Sequence, residues 1–141
     1  MVADKTTQTK IMKKILNTLA HPLTQEQENE IEYEFGDVEI ILLKDAPELT
    51  EQEIKDIRQT PCLTSDSNLP NRLAAAMSKY DVVLLPAGSP ALMWLSAKCM
   101  VDEDYTTTIG FSYSQRVSTE QRQNGKTVKT STFEHVCWQW I

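Results

Sequence analysis

Short apolar runs alternate with amphipathic stretches along residues 12–100 of this chain. The runs predict strands, because four to eight consecutive apolar residues suit a buried strand. The stretches predict helices, since several of them open on a capping signature or a proline. The predicted strands cover residues 13–20, 37–44 and 81–86, and the predicted helices cover residues 24–35, 50–58, 70–79 and 91–100. This order is typical of an α/β layer structure with a mainly parallel sheet and flanking helices.

The predicted helix over residues 24–35 carries an acidic run. Its glutamates recur at every second position and surround much of the helix; they are Glu26, Glu28, Glu30, Glu32 and Glu34. The sparse apolar residues Leu23, Ile31 and Phe35 lie roughly on one stripe. We interpret the acidic run as a solvated face rather than as a catalytic carboxylate cluster.

Residues 111–141 predict a C-terminal β-hairpin around Asn124-Gly125. This dipeptide is the strongest short hairpin signal, because both residues tolerate the positive φ of a type I′ turn. With a two-residue turn, the numbers of facing residues add up to 249. The predicted pairs are Ser114 with His135, Arg116 with Phe133, Ser118 with Ser131 and Glu120 with Lys129.

One face of this hairpin is rich in hydroxyl groups and cations. Side chains alternate across a strand, so this face collects Ser112, Ser114, Arg116, Ser118, Lys129, Ser131 and His135. We interpret it as an anion site, with an ordinary solvated sheet surface as the alternative. The opposite face is also mixed, and an isolated hairpin is marginal in water. We therefore expect a partner subunit, a ligand or both to cover it.

Composition limits the class of partner. The 141 residues suit one domain, 1–141, with residues 1–10 frayed. The net charge of −6 argues against binding to DNA or long RNA, which need a basic footprint. Within residues 111–141, however, four basic residues stand against two acidic ones. A small anion held locally is therefore allowed.

The three cysteines and two histidines give no metal or redox motif. The cysteines are odd in number and lie far apart, and neither histidine stands at a ligand spacing from another His or Cys. No apolar run is long enough to cross a bilayer, and no signal-peptide pattern is present. We expect a cytoplasmic protein with reduced thiols and with no metal, no cofactor and no membrane partner.

Two loops could carry chemistry, because ligands bind beyond the carboxyl ends of parallel strands. They are residues 17–22, after the first predicted strand, and residues 86–90, after the third. Neither is a Walker loop or a complete G-x-G-x-x-G fingerprint. Plain N-capping is the alternative for Ser89, and an incidental loop position is the alternative for His21. A serine–histidine–acid triad is set aside, because Ser114 and His135 lack an orienting acid on their face of the hairpin.

The residues of these loops carry a resemblance to a known family. Residues 17–27 (NTLAHPLTQEQ) and 84–90 (LLPAGSP) resemble the small stand-alone CARF-like accessory proteins of type III CRISPR systems. The likeness covers roughly residues 12–100, and the hairpin segments 111–118 and 129–135 resemble the same neighbourhood. The resemblance implies a Rossmann-like homodimer that binds a cyclic oligoadenylate second messenger in a cleft across the dimer and either cleaves or sequesters it.

The resemblance also implies site residues. Ligand contacts would come from the two loops, at Asn17, Thr18, His21, Ala87, Gly88 and Ser89. In ring cleavage, a 2′-hydroxyl of the ligand attacks the neighbouring phosphodiester without a metal. Arg116 and Lys129 are then candidates for clamping phosphate, His135 or His21 for acid–base work, and Ser112, Ser114 and Ser118 for hydrogen bonds to the ligand.

Three functions follow as expectations. The first is a metal-independent ring nuclease acting on cyclic oligoadenylate, with cyclic tetra-adenylate as the expected ligand. The second is a non-catalytic sponge that uses the same pocket. The third is a protein-interaction module whose exposed hairpin adds to the sheet of a partner.

Overall fold

A computed structural model describes residues 12–59, 63 and 67–141 of the chain. The predicted fraying of residues 1–10 and most of the predicted loop over residues 60–68 lie outside the described residues. The strands are β1 (Lys13–Asn17), β2 (Val38–Leu42), β3 (Val82–Leu85), β4 (Thr108–Gln123) and β5 (Lys126–Trp140). The helices are α1 (Gln25–Phe35), α2 (Glu51–Gln59), α3 (Leu69–Met77) and α4 (Pro90–Asp102), and a 3₁₀ turn spans Leu43–Asp45.

The four predicted helices are confirmed, with ends within two residues of those expected. In α1, the Thr24 hydroxyl accepts from the Gln27 backbone N–H, and the Gln27 side chain accepts from the Thr24 N–H. Thr50 and Glu53 make the same reciprocal pair at the start of α2. Each capping box satisfies backbone donors that the first turn of a helix leaves without partners. Among the described residues, no helix is long and apolar enough to cross a membrane.

The sheet has five strands in the order β2-β1-β3-β4-β5. Strands β1 to β4 run parallel, and β5 pairs with β4 in the antiparallel direction. The fold is therefore a mixed α/β structure, as expected, but its sheet is mixed rather than mainly parallel. The antiparallel pairing of β4 with β5 is the longest pairing in the sheet. The first strand also ends earlier than predicted, because residues 18–20 leave the sheet to form a loop.

The two faces of the sheet bury separate clusters of apolar residues. Helix α1 alone packs on the first face, where Ile31 joins strand residues and a tryptophan of β5. Helices α2, α3 and α4 pack on the second face, which holds the larger cluster. The first face contributes Ile15, Val82, Leu84 and Trp138, and the second contributes Leu16, Val83 and Leu85. Because each strand supplies residues to both clusters in alternation, β1 and β3 are covered on both sides.

Strands β4 and β5 form a long ribbon with the predicted two-residue turn. Asn124 and Gly125 both have positive φ, of 53° and 76°. The predicted pairing is confirmed from Gln123 opposite Lys126 down to Ser114 opposite His135. Below that point a bulge shifts the register by one residue, so that Tyr113 lies opposite Cys137.

The ribbon passes from a covered base to an exposed outer half. At its base, a side chain on Gly110 would overlap the Trp140 ring, so only glycine fits there. The Trp140 ring in turn meets Phe35 of α1 edge-on, with ring centroids 4.9 Å apart. Residues 118–132, by contrast, are exposed on both faces of the ribbon. The outer half therefore extends beyond the body of the domain, from the edge at which β1 and β3 end.

Candidate functional site

The loop after β1 is tied to the end of β3. The Thr18 hydroxyl and the Thr18 backbone N–H both donate to the Leu84 carbonyl, at 2.5 and 3.1 Å. Asn17 accepts from the Leu19 N–H at 3.0 Å and donates to the His21 carbonyl at 3.3 Å. Asn17 and Thr18 are fully buried. Their side chains therefore shape the loop, and they would influence a ligand through the backbone that they hold in place.

The loop after β3 lies at the same edge of the sheet. Ala87 is fully buried, and Gly88 has a positive φ of 64°, which glycine adopts without strain. The Ser89 hydroxyl accepts from the Leu92 backbone N–H at 3.2 Å. Ser89 is thus the N-cap of α4, which confirms the capping role that the sequence left open.

A cationic pocket opens beside the first of these loops. Its volume is about 240 Å³, and three of its lining residues carry ionisable basic side chains: His21, Lys44 and Arg58. The other lining residues are Leu19, Ala20, Pro22 and Leu42. None of these described lining residues carries a carboxylate, although the protein as a whole is acidic. It is suited to an anion.

Arg58 joins this pocket to the loop after β1. Its guanidinium donates to the Thr18 carbonyl at 2.5 Å and to the Leu19 carbonyl at 2.9 Å. Burial lowers the pKa of Arg58, but an arginine stays protonated at neutral pH. The guanidinium has five N–H donors, of which these two bonds use only two. Arg58 can therefore hold the loop and still donate toward the pocket.

Sequence reasoning identified His21 but missed Lys44 and Arg58. Lys44 is the last residue of the second predicted strand. Because ligands bind beyond the carboxyl ends of parallel strands, its position already indicated a candidate. Arg58 lies in the last turn of α2, about forty residues beyond the loop it contacts, and no local pattern marks it. The His21 Nδ1 atom lies 2.8 Å from the Pro22 carbonyl, so this nitrogen carries the proton that is donated.

A second cluster lies under α1, at the base of the ribbon. The Ser112 hydroxyl is 2.9 Å from His135 Nδ1, and His135 Nε2 is 3.2 Å from Glu30 Oε1. The other Glu30 oxygen accepts from the Trp138 backbone N–H at 2.8 Å. The His135 side chain is only 6% exposed, and that of Glu30 is 34% exposed. We call Ser112, His135 and Glu30 the buried relay.

The buried relay corrects two interpretations of the sequence. The expected solvated face is confirmed at Glu26, Glu32 and Glu34, which are exposed. Glu30 is an exception, because its carboxylate bonds to the base of the ribbon from the same side of α1 as Ile31 and Gln27. The sequence offered no acid to orient His135, and Glu30 supplies one in the structure. The serine that pairs with His135 is Ser112 rather than Ser114. The search along the hairpin missed Glu30 because it comes from another element, 105 residues earlier in the chain.

The remaining predicted residues spread outward along the ribbon. Ser114 and Arg116 are exposed just beyond the buried relay. Ser118 is six residues from Ser112, which is about 20 Å along a strand. Lys129 lies further out and is 3.5 Å from Glu120 in an exposed cross-strand ion pair. The structure therefore brings Ser112 together with His135, but Ser118 and Lys129 lie far from the loops.

The described residues hold no group of three or more histidine, cysteine, aspartate or glutamate side chains that could bind a metal ion. The cysteines described, Cys99 and Cys137, are free thiols.

The chain belongs to the Uncharacterized protein MJ1673 family, whose family model matches residues 13–139. This match covers the sheet, the four helices and nearly the whole ribbon. No curated protein and no solved structure matches the chain.

Proposed function

We propose that this protein binds a cyclic oligoadenylate, with cyclic tetra-adenylate as the first ligand to test, at the carboxyl edge of its sheet and cleaves the ring without a metal. The proposal includes the resemblance to CARF-like accessory proteins of type III CRISPR systems and a cytoplasmic location. The observation that carries it is the cationic pocket of His21, Lys44 and Arg58. A pocket with three basic residues and no carboxylate among its described lining residues, in a protein of net charge −6, favours a local polyanion over a long nucleic acid.

The strand order supports a Rossmann-like reading of the fold. The connection that leaves β1 leads to β2, on one side of the pair β1 and β3. The connection that leaves β3 leads to β4, on the other side of this pair. In doubly wound folds, ligands bind where neighbouring connections diverge in this way. Here that point lies between β1 and β3, and the loops at residues 18–22 and 86–89 flank it. The cationic pocket adjoins this point on the β1 side, because residues 19–22 line the pocket and residues 86–89 do not. Asn17, Thr18, Ala87, Gly88 and Ser89 would then set the backbone of the binding edge.

The size of the pocket supports a dimer. A volume of about 240 Å³ suits one nucleotide unit rather than a whole ring. A second copy related by a twofold axis would supply a second, identical pocket. The twofold symmetry of the dimer would then match the symmetry of the ring. Lys44 and Arg58 would hold phosphates, with Arg58 able to make two parallel bonds.

The cleavage chemistry requires alignment, a proton acceptor and a proton donor. The 2′-hydroxyl of an adenylate gives its proton to a base as its oxygen attacks the adjacent phosphorus, the bond from phosphorus to the 5′-oxygen breaks, and the 5′-oxygen takes up a proton as it leaves. Of the two histidines, His21 lines the cationic pocket, whereas His135 does not, so His21 is the residue placed for acid–base work on the ring. Arg116 and the Ser114 hydroxyl would contact the part of the ring that faces the ribbon, and the Ser112 hydroxyl, which pairs with His135, is left out of the ring site. Ser118 and Lys129 could reach only a ligand that extends outward.

The experiment separates cleavage, sequestration and absence of binding. Excess protein is incubated with cyclic tetra-adenylate in EDTA and then denatured, and the nucleotide is analysed by chromatography. Linear product supports the ring nuclease, and intact ring after tight binding means a sponge. In titration calorimetry, Lys44→Ala should weaken binding by about tenfold or more. Lys79→Ala is the matched control, because Lys79 is exposed near the amino end of β3, at the opposite edge.

The exposed outer half of the ribbon favours the interaction module as a second candidate function. Residues 118–132 bury neither face, and β5 is an edge strand whose outer backbone groups could pair with a partner strand. This function predicts that no cyclic oligoadenylate raises the melting temperature and that no nucleotide absorbance co-purifies with the protein. A clear rise in melting temperature with cyclic tetra-adenylate, absent with the linear tetra-adenylate, would contradict it.

A further inference from the structure

We propose that Ser112 is an activated nucleophile, primed by His135 and Glu30, and that it forms a second reactive site, one that attacks neutral or cationic esters. The proposal does not rest on the binding of cyclic oligoadenylate. Its basis is the buried relay, in which a serine, a histidine and a carboxylate from two distant elements meet at 2.9 and 3.2 Å. A hydroxyl, an imidazole and an acid in line are the parts from which an activated serine is built.

The protonation of His135 follows from its carboxylate partner. An ionised carboxylate only accepts hydrogen bonds, so the bond between His135 Nε2 and Glu30 Oε1 requires the proton on Nε2. The second Glu30 oxygen accepts from the Trp138 backbone N–H, which holds the carboxylate in this orientation. In neutral His135, the Nδ1 atom is therefore free of a proton and acts as an acceptor.

The direction of the Ser112 proton follows from the capping box of α1. The Gln27 side-chain oxygen accepts from the Thr24 N–H at 3.0 Å, so its other terminal atom is the NH₂ group. That NH₂ group lies 3.5 Å from the Ser112 hydroxyl oxygen and can only donate to it. The serine proton then points to His135 Nδ1, 2.9 Å away. The chain of donors runs from Gln27 through Ser112 to His135.

The reaction balances within these groups. The Ser112 oxygen attacks the carbonyl carbon of an ester while its proton passes to His135 Nδ1, and Glu30 offsets the charge of the imidazolium. The bond to the leaving alcohol breaks, and the proton on Nδ1 passes to that alcohol's oxygen. Water then attacks the acyl group on Ser112 and gives a proton to the same nitrogen, which returns it to the serine as the carboxylic acid is released.

The charge around His135 indicates the class of ester. A cavity of about 420 Å³ borders this histidine, and its other described lining residues are Thr24, Gln25, Glu26 and Glu134. Ser112 does not line this cavity but lies 2.9 Å from Nδ1 of the histidine that does. Two carboxylates line this cavity, and they repel an anionic substrate. A neutral or cationic ester meets no such barrier. This cavity differs in sign from the cationic pocket, so the two sites are suited to different ligands.

A labelling experiment tests the nucleophile without knowledge of the natural substrate. The full-length protein is treated with diisopropyl fluorophosphate, whose fluoride is displaced by an activated serine hydroxyl. Intact-mass and peptide mass spectrometry should show one diisopropylphosphoryl group on Ser112. Ser112→Ala should lose the adduct, and Ser78→Ala, whose half-buried hydroxyl lies at the end of α3 and donates to the Ala75 carbonyl, should be labelled at the wild-type rate. Labelling of Ser112 no faster than that of the exposed Ser114 would overturn the proposal.

Glu30→Gln tests the relay itself. A glutamine amide can donate to His135 Nε2, which would move the proton to Nδ1 and remove the base from Ser112. Labelling should slow by about 100-fold or more, on the scale of a wrong histidine tautomer. Nitrogen NMR should show the proton of neutral His135 on Nε2 in the wild type and on Nδ1 in this variant, with His21 as internal reference. A relay that is only structural would leave the labelling rate within twofold of wild type, which would refute the assignment.

The substrate class has its own test. The Ser112-dependent rate of hydrolysis, which is the wild-type rate minus that of Ser112→Ala, should be at least about tenfold higher for p-nitrophenyl acetate than for the half-ester p-nitrophenyl succinate, whose free carboxylate meets Glu26 and Glu134. Glu134→Gln should narrow the difference between the two esters, because this substitution removes one of the two charges. Equal Ser112-dependent rates would exclude the proposed selectivity. The cleavage assay with cyclic tetra-adenylate uses none of these probes, so either proposal can fail alone.

Discussion

The base and the outer half of the β4–β5 ribbon share one turn and the same two strands, with one bulge between them, yet they are in very different environments. At the base, Trp138 is 4% exposed and donates its indole N–H to the Gln27 carbonyl at 3.3 Å. In the outer half, residues 118–132 are exposed on both faces. The difference is the cover that α1 provides. A hairpin alone is marginal, so the base is stabilised mainly by tertiary contacts.

The polar pairs of the ribbon differ in the same way. Glu30 and His135 meet at the base, where the histidine side chain is 6% exposed. Glu120 and Lys129 meet in the outer half, with side chains 61% and 75% exposed. Each pair joins a glutamate to a nitrogen-bearing side chain of β5, but only the first is held by additional hydrogen bonds, which involve Ser112 and Trp138. Burial converts a weak surface pair into a network with defined proton positions.

The largest expected effect comes from truncating the anchor of the base. Trp138→Ala should lower the free energy of unfolding by about 3–5 kcal/mol, since it leaves a cavity beside Trp140 and His135. Trp94→Ala is the matched control, because Trp94 is 64% exposed on α4, and it should cost less than about 1 kcal/mol. Urea denaturation measures both. Equal losses would show that α1 does not anchor the ribbon.

The next largest expected effect is the difference in stability lost when the glutamate of each ribbon pair is removed, Glu30 beside His135 or Glu120 beside Lys129. Glu30→Ala leaves the buried His135 and the Trp138 backbone N–H without their acceptor, so we expect a loss of about 1–3 kcal/mol. Glu120→Ala removes an exposed partner and should cost less than about 0.5 kcal/mol. Denaturation midpoints at neutral pH and low salt compare them. A loss in Glu120→Ala as large as that in Glu30→Ala would contradict the comparison.

The smallest expected effect on stability concerns the partly exposed ion pair between Glu53 and Arg72, which lies outside the ribbon. Hydrogen bonds from Arg72, at 2.6 and 3.1 Å, lower the pKa of Glu53 from 4.5 to about 2. The folded state therefore binds this proton more weakly, and the stabilisation is complete above pH 4.5 and is lost as the pH falls to about 2. Glu53→Gln should cost about 1 kcal/mol at neutral pH and almost nothing near pH 2.

Glutamine at position 53 can keep the capping bonds with Thr50, so this substitution isolates the contribution of the charge. Glu51→Gln, at an exposed position in the same turn, is the control. Parallel stability curves for wild type and Glu53→Gln between pH 2 and pH 7 would exclude a role for the ion pair.

Local patterns predicted most of the elements. The capping boxes at Thr24 and Thr50 marked the starts of two helices, and Asn124-Gly125 gave the pairing of the outer ribbon down to Ser114 opposite His135. These signals act between residues three or four apart, or across a single turn. The bulge below Ser114 carried no such signal, because its position depends on how Trp138 and Trp140 pack against α1 and Gly110.

The candidate sites were less predictable than the elements. His21, Ser112 and His135 were identified, but their partners Arg58 and Glu30 were not. Both partners come from helices far away in sequence, and their types are common on solvated helix faces. Burial and proximity distinguish them, and neither quantity is present in a local pattern.

The sequence by itself determined where helices and strands begin, which residues alternate on the ribbon and how the turn closes, because these depend on backbone geometry over a few residues. The tertiary structure alone decided which end of the ribbon is covered, which glutamate faces inward and which arginine reaches the loop after β1. Those outcomes depend on the packing of α1 and α2 against opposite faces of one sheet, and packing joins residues that are 40 to 105 positions apart.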